Sequence, residues 1–172
     1  YAREPAYQAA FDRCATALTA QAGCDLRAVL LDRADEAQMR RPAIGLPALF
    51  AVEYAVAQAL REYGVVPGCM IGHSMGEYVA AVLAGTFTLD DALALVALRG
   101  KLFERIPSGA MLSVALTESE LVALLDPQLA IAAVNLPETF VGSGPVAEIE
   151  ALAARLDARG VDSRWISIDT AA

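Results

Sequence analysis

Residues 72–76 read Gly-His-Ser-Met-Gly, the G-x-S-x-G pattern of a nucleophile elbow, with Ser74 at its centre. A serine held this way sits on a tight turn into a helix with its hydroxyl exposed. Gly72 and Gly76 flank it where side chains are expected to collide across the turn. The helix that follows aims its first N–H groups at the reacting centre. That of Met75 is therefore a candidate oxyanion donor. The chemistry this pattern supports is acyl transfer through an acyl-serine.

A serine hydroxyl needs a base within hydrogen-bond reach. The chain contains one histidine, His73, next to the nucleophile. Adjacent side chains on an extended segment point to opposite faces, so His73 is expected to face away from Ser74 and to support the elbow. The nucleophile thus has no evident partner. Either the base is unusual, or the chain is a segment whose base lies outside it. The opening Tyr-Ala-Arg-Glu-Pro, with no initiating methionine, fits the second reading.

The elements that must position Ser74 follow from the pattern of the chain. An apolar run, Val65 to Ile71, precedes the elbow and is expected to be a strand; Met75 to about Ala84 is expected to be a helix. Upstream, residues 5–22 have helical spacing between Pro5 and Gly23. Asp25 caps a short helix to Leu31, and 32–45 form a charged connection. Residues 47–63 form a strongly apolar helix, with Leu49, Phe50, Val52, Val56 and Leu60, begun by Pro47 and ended by Gly64. Downstream, Thr88 to Asp91 opens a helix to about Arg105. After Pro107-Ser-Gly109 the period changes. Strands at 111–116, 129–134, 139–141 and 163–168 alternate with helices at 117–125 and 145–159. The order β-α-β-β-α-β is that of a ferredoxin-like unit.

The fold class expected is therefore α/β: a parallel-sheet body like that of the α/β-hydrolases over 1–109, continuing after 168, with a ferredoxin-like subdomain inserted over 110–168. With 172 residues, 56% hydrophobic and 20% charged, a sizeable core is available and disorder is excluded. No uncharged apolar run reaches the ~18 residues of a membrane span. The net charge of −8 argues against a nucleic-acid partner. Cys14, Cys24 and Cys69 are odd in number and lack C-x-x-C spacing, which reads as structural thiols in a reduced, cytoplasmic protein.

The longer string Gly72-His-Ser-Met-Gly-Glu-Tyr-Val-Ala-Ala81 resembles the acyltransferase domains of modular polyketide synthases, relatives of the malonyl-CoA:acyl carrier protein transacylases of fatty acid synthesis. The resemblance runs through Leu46-Pro-Ala-Leu-Phe-Ala-Val-Glu-Tyr54, Leu83-Ala-Gly85, Asp91-Ala-Leu-Ala-Leu-Val-Ala-Leu-Arg-Gly100, Ala132-Ala-Val-Asn-Leu-Pro137 and Val141-Gly-Ser-Gly-Pro145. It implies transfer of a malonyl-type group from coenzyme A to the phosphopantetheine thiol of an acyl carrier protein, by a ping-pong cycle at Ser74. The synthase setting implies neighbouring domains such as a ketosynthase. No bound cofactor or metal is implied.

The resemblance also assigns residues. Arg99 stands where the family keeps the arginine that grips the free carboxylate of the acyl group, and a planar guanidinium suits that task. On the residues alone, a solvated arginine late in an amphipathic helix, favourable with the helix dipole, is the expected reading. Leu46 replaces a glutamine that many relatives place near the acyl pocket, so its substrate role is in question. Asn135 is a weaker candidate for the cleft, or a turn residue. Glu77 reads as structural support for the helix start. Met75, in place of a glutamine common in methylmalonyl-selective relatives, points towards malonyl. The family's catalytic histidine is expected just after Ala172, and its first strand before residue 1. Two other readings stay open: a serine hydrolase on the same elbow, and a non-catalytic docking module. Arg99 speaks against a hydrolase of neutral esters, which has no use for a guanidinium in its acyl pocket.

Overall fold

The computed structural model describes residues 1–32, 36–166, 168, 170 and 171. They fall into two compact units, 1–105 and 106–172.

The first unit is helical. Pro5 opens α1 (Pro5–Ala22), since its missing N–H costs nothing in a first turn. Gly23 closes the helix in the left-handed region at φ 70°. The Arg27 N–H donates to Asp25 Oδ1 at 2.9 Å, the cap expected there, and a wide helical turn follows over Ala28–Asp32. The expected connection at 32–45 is largely helical instead. A short α2 (Glu36–Arg40) leads into α3 (Pro42–Glu62); residues 33–35 lie outside the described residues.

Helix α3 starts at Pro42, not at Pro47, which is buried inside it. Either proline can serve as a first-turn residue, and the sequence alone does not choose between them. The buried face is made mostly of small residues. Ala43, Ile44, Pro47, Ala48, Phe50, Ala51 and Ala55 face inward, whereas Leu49, Val56 and Leu60 are exposed. The small residues let α3 lie close to α1 and α5, its main partners. Although α3 is long and apolar enough to cross a membrane by length and composition, its alanine face is core.

Helices α4 (Gly76–Leu83) and α5 (Leu89–Phe103) complete the unit. Thr88 caps α5 as expected: its Oγ1 accepts from the Asp91 N–H at 3.1 Å. The core joins Phe11, Cys14 and Leu18 of α1, Phe50 of α3, Met75 and Val79 at the elbow, and Leu93 and Val96 of α5. Arg41 Nε donates to Glu104 Oε1 at 3.1 Å, tying the start of α3 to the end of α5.

No parallel sheet is present among the described residues of this unit, and 65–71 is not a strand. The reason is physical. A strand is made by the neighbours that take its backbone hydrogen bonds, and no other segment of the unit offers a sheet edge. The run is left open to solvent, with Val66 84% and Ile71 98% exposed.

The second unit has the expected order: β1 (Ala110–Val114), α6 (Glu118–Val122), β2 (Ala130–Leu136), β3 (Thr139–Gly144), α7 (Val146–Asp157) and β4 (Ser163–Ile166). The strands lie in the order β2-β3-β1-β4, all antiparallel. The expected extension of β4 through Ser167 lies outside the described residues. Leu112, Val114 and Phe140 of the sheet pack with Leu121 and with Ile149, Leu152 and Leu156 of α7 to form a separate core.

Candidate active site

Ser74 has φ 53°, and it is the only non-glycine with a positive φ among the described residues. This left-handed backbone costs a serine of order 1–3 kcal/mol, and such strain persists where the surroundings force it. Two neighbours do so here. Gly72 lies so close to the next turn that a β-carbon on it would collide with the backbone of Gly76 and Glu77. On the other side, the Met75 side chain is only 1% exposed and anchors the turn in the core. Ser74 itself remains exposed.

The turn then winds directly into α4. The N–H groups of Gly76, Glu77 and Tyr78 donate to the carbonyls of His73, Ser74 and Met75 at 3.0, 3.2 and 3.1 Å. The Met75 N–H has no acceptor among the described residues. It is thus an open donor beside Ser74 at the positive end of a helix. His73 is exposed and contributes its carbonyl to this turn. Gly76 differs from the expectation of a collision on both sides. A β-carbon there would meet only Glu53 Oε2 among the described residues, at an ordinary 3.9 Å, because position 76 already follows the helix.

Arg99 joins the elbow through α4. Its Nη1 donates to Tyr78 Oη at 3.4 Å, and its Cζ stands 5.8 Å from the Tyr78 ring centroid and 4.5 Å from that of Phe103. Half-buried on α5, it forms no ion pair among the described residues. Leu46, on α3, is half-buried and packs against the core of the unit. Asn135 belongs to the second unit, where it is exposed near the end of β2.

The whole chain, residues 1–172, matches the family model described as the acyl transferase domain. It is 40% identical over 166 residues to a phenolphthiocerol/phthiocerol polyketide synthase of Mycobacterium tuberculosis, covering 96% of this chain and 11% of that protein. The chain belongs to the acyltransferase domains of polyketide synthases.

Solved structures agree. The acyltransferase domain from the second module of the salinomycin polyketide synthase superposes with a TM-score of 0.89 at 42% identity, over 99% of this chain and 40% of that one. A malonyl-transacylase solved in complex with its type II polyketide synthase acyl-carrier protein gives 0.81 at 26%, over 95% and 56%. The chain thus shares the α/β fold of acyltransferase domains while spanning well under two thirds of these relatives. Tyr78, Phe103 and Glu53 join the surroundings of the site beyond the residues expected there. The signal for the first two was helical spacing: Tyr78 lies one turn beyond Ser74, and Phe103 one turn beyond Arg99. Glu53 left none, because its neighbour Gly76 comes from another helix.

Proposed function

We propose that this chain carries the nucleophile of an enzyme that moves a malonyl-type group from coenzyme A to the phosphopantetheine thiol of an acyl carrier protein. The observation that carries the reading is Ser74, exposed on a left-handed turn with the open Met75 N–H beside it.

Ser74 Oγ attacks the thioester carbonyl while a base takes its proton. The carbonyl electrons move to oxygen, and the Met75 N–H stabilises that oxyanion. Collapse breaks the C–S bond, and coenzyme A leaves as the protonated thiol. The carrier's thiol then attacks the acyl-serine by the same steps in reverse, returning the proton to Ser74. We place the base outside this chain, because the one histidine is His73, a residue of the turn itself. Arg99, unpaired by any acid among the described residues, suits the free carboxylate of the acyl group.

The same reading accounts for the exposed run at 65–71. We take it as the central strand of a hydrolase-like parallel sheet whose neighbours come from elsewhere in the full-length protein. The unit 106–172, with its β-α-β-β-α-β order, is the ferredoxin-like subdomain. The solved complex of a related transacylase with its carrier protein supports the choice of partner.

The test is mass spectrometry of the full-length protein after incubation with malonyl-CoA. A malonyl adduct is expected on the peptide containing Ser74, transferable to a carrier protein, and absent in Ser74→Ala. An adduct on another residue would overturn the reading. Release of free malonate in place of transfer would favour a hydrolase.

A further inference from the structure

We propose that Tyr78 and Phe103 are positioning residues that hold the Arg99 head so that one fork of its guanidinium is presented to the carboxylate of the acyl group. The inference rests on the reading of Arg99 given above and extends it to residues that do not touch the substrate.

An arginine head at the end of a flexible stem must be ordered before it can grip a carboxylate with two hydrogen bonds. Here the ordering is built in. Phe103, one turn beyond Arg99 on α5, covers a face of the guanidinium with its ring centroid 4.5 Å from Cζ. Such contacts attract a cation through the electron-rich ring face and leave the N–H edges free. Tyr78, on α4, takes one of those edges, accepting from Nη1 at 3.4 Å. What remains is the side-on pair of Nε and Nη2, the fork that binds a carboxylate bidentately. No acidic side chain among the described residues occupies it.

The placement also couples grip to nucleophile. Tyr78 lies one helical turn beyond Ser74, on the helix that the elbow starts. A rigid α4 therefore sets both the serine and the partner of Arg99. That arrangement favours short dicarboxylic acyl groups, whose carboxylate and thioester are a fixed small distance apart.

The experiment uses the full-length protein and compares transfer of malonyl and acetyl groups from coenzyme A to a carrier protein. Arg99→Ala is the reference and is expected to lower the malonyl-over-acetyl preference. Tyr78→Phe removes the hydroxyl but keeps the ring. Phe103→Leu removes the π face but keeps an apolar side chain. Each is expected to lower kcat/KM for malonyl-CoA about three- to tenfold, mainly through KM, with acetyl transfer within about twofold of the parent. Acetyl transfer also reports whether each variant folds. In an Arg99→Ala background, Tyr78→Phe should have no further effect on malonyl transfer, because it acts through the guanidinium. Equal losses for malonyl and acetyl, or a Tyr78→Phe effect that persists without Arg99, would overturn the positioning role while leaving Arg99 as the carboxylate ligand. An unchanged preference in Arg99→Ala would instead remove the ligand role, and the proposal with it.

Discussion

Glu53 on α3 reaches the first residue of α4: its Oε2 lies 3.9 Å from the point that a β-carbon on Gly76 would occupy. That oxygen is buried and has no hydrogen-bond partner among the described residues. Desolvation raises the carboxyl above its ordinary pKa. The native state thus binds the Glu53 proton more tightly than the unfolded chain does. Below the ordinary carboxylate pKa both states are protonated and nothing is lost. As pH rises towards and through the raised native value, the native state has to ionise a poorly solvated group, and stability falls. Glu53→Gln removes this dependence. Its denaturation midpoint relative to the parent should increase between pH 4 and pH 7. A difference that stays flat with pH would show that the carboxylate is ionised at no cost.

The two glycines of the elbow should respond differently to alanine. At position 72 the added methyl meets the backbone of Gly76 and Glu77, which cannot move without opening the turn. Gly72→Ala is expected to lose several kcal/mol of stability, at or beyond the upper end of the ~1–3 kcal/mol typical of overpacking. At position 76 the nearest described atom is a flexible carboxylate oxygen, and alanine favours the helix by about 1 kcal/mol over glycine. Gly76→Ala should therefore unfold at or above the parent's temperature. Equal destabilisation of both variants would contradict the difference in packing.

How far the sequence revealed these features depended on how local their causes are. The caps at Asp25 and Thr88, the turn at Ser74 and the β-α-β-β-α-β order were legible because each is set within a few residues. The inner face of α3 was not. With Leu49, Val56 and Leu60 on one side and alanines on the other, the helix is apolar nearly all round, and hydrophobicity does not pick out its buried side. The run at 65–71 failed as a strand because pairing is not a property of the run itself. At the site, Ser74 and the Met75 N–H followed from a motif. The contact of Arg99 with Tyr78 did not, because Tyr78 reaches it from another helix.

The close approach of α3 and α5 gives a third prediction. A β-carbon on Gly100 would stand 2.5 Å from the Pro42 carbonyl oxygen and 2.8 Å from Ala43 Cα. These are backbone atoms at the start of α3, and they cannot rotate away. Helix propensity alone would reward Gly100→Ala by about 1 kcal/mol. Overpacking of this kind costs about 1–3 kcal/mol, so it should win. Chemical denaturation should show Gly100→Ala less stable than the parent. A gain in stability would mean that the two helices separate more easily than their contact implies.

The cysteines test both the core and the exposed run. Cys14 is fully buried in α1, and burial pushes its thiol up to about 12, so at pH 8 almost none of it is thiolate. Cys69 is exposed, within the apolar run before the elbow. Alkylation of the 172-residue chain at pH 8 should therefore modify Cys69 quickly and Cys14 only after denaturation, as read by peptide mass. In the full-length protein the proposed neighbouring strands would cover the run, and Cys69 should become protected as well. Rapid native labelling of Cys14 would contradict its place in the core. Undiminished labelling of Cys69 in the full-length protein would contradict the reading of 65–71 as a central strand, because a thiol between paired strands and the helices that cover them has no access to the reagent.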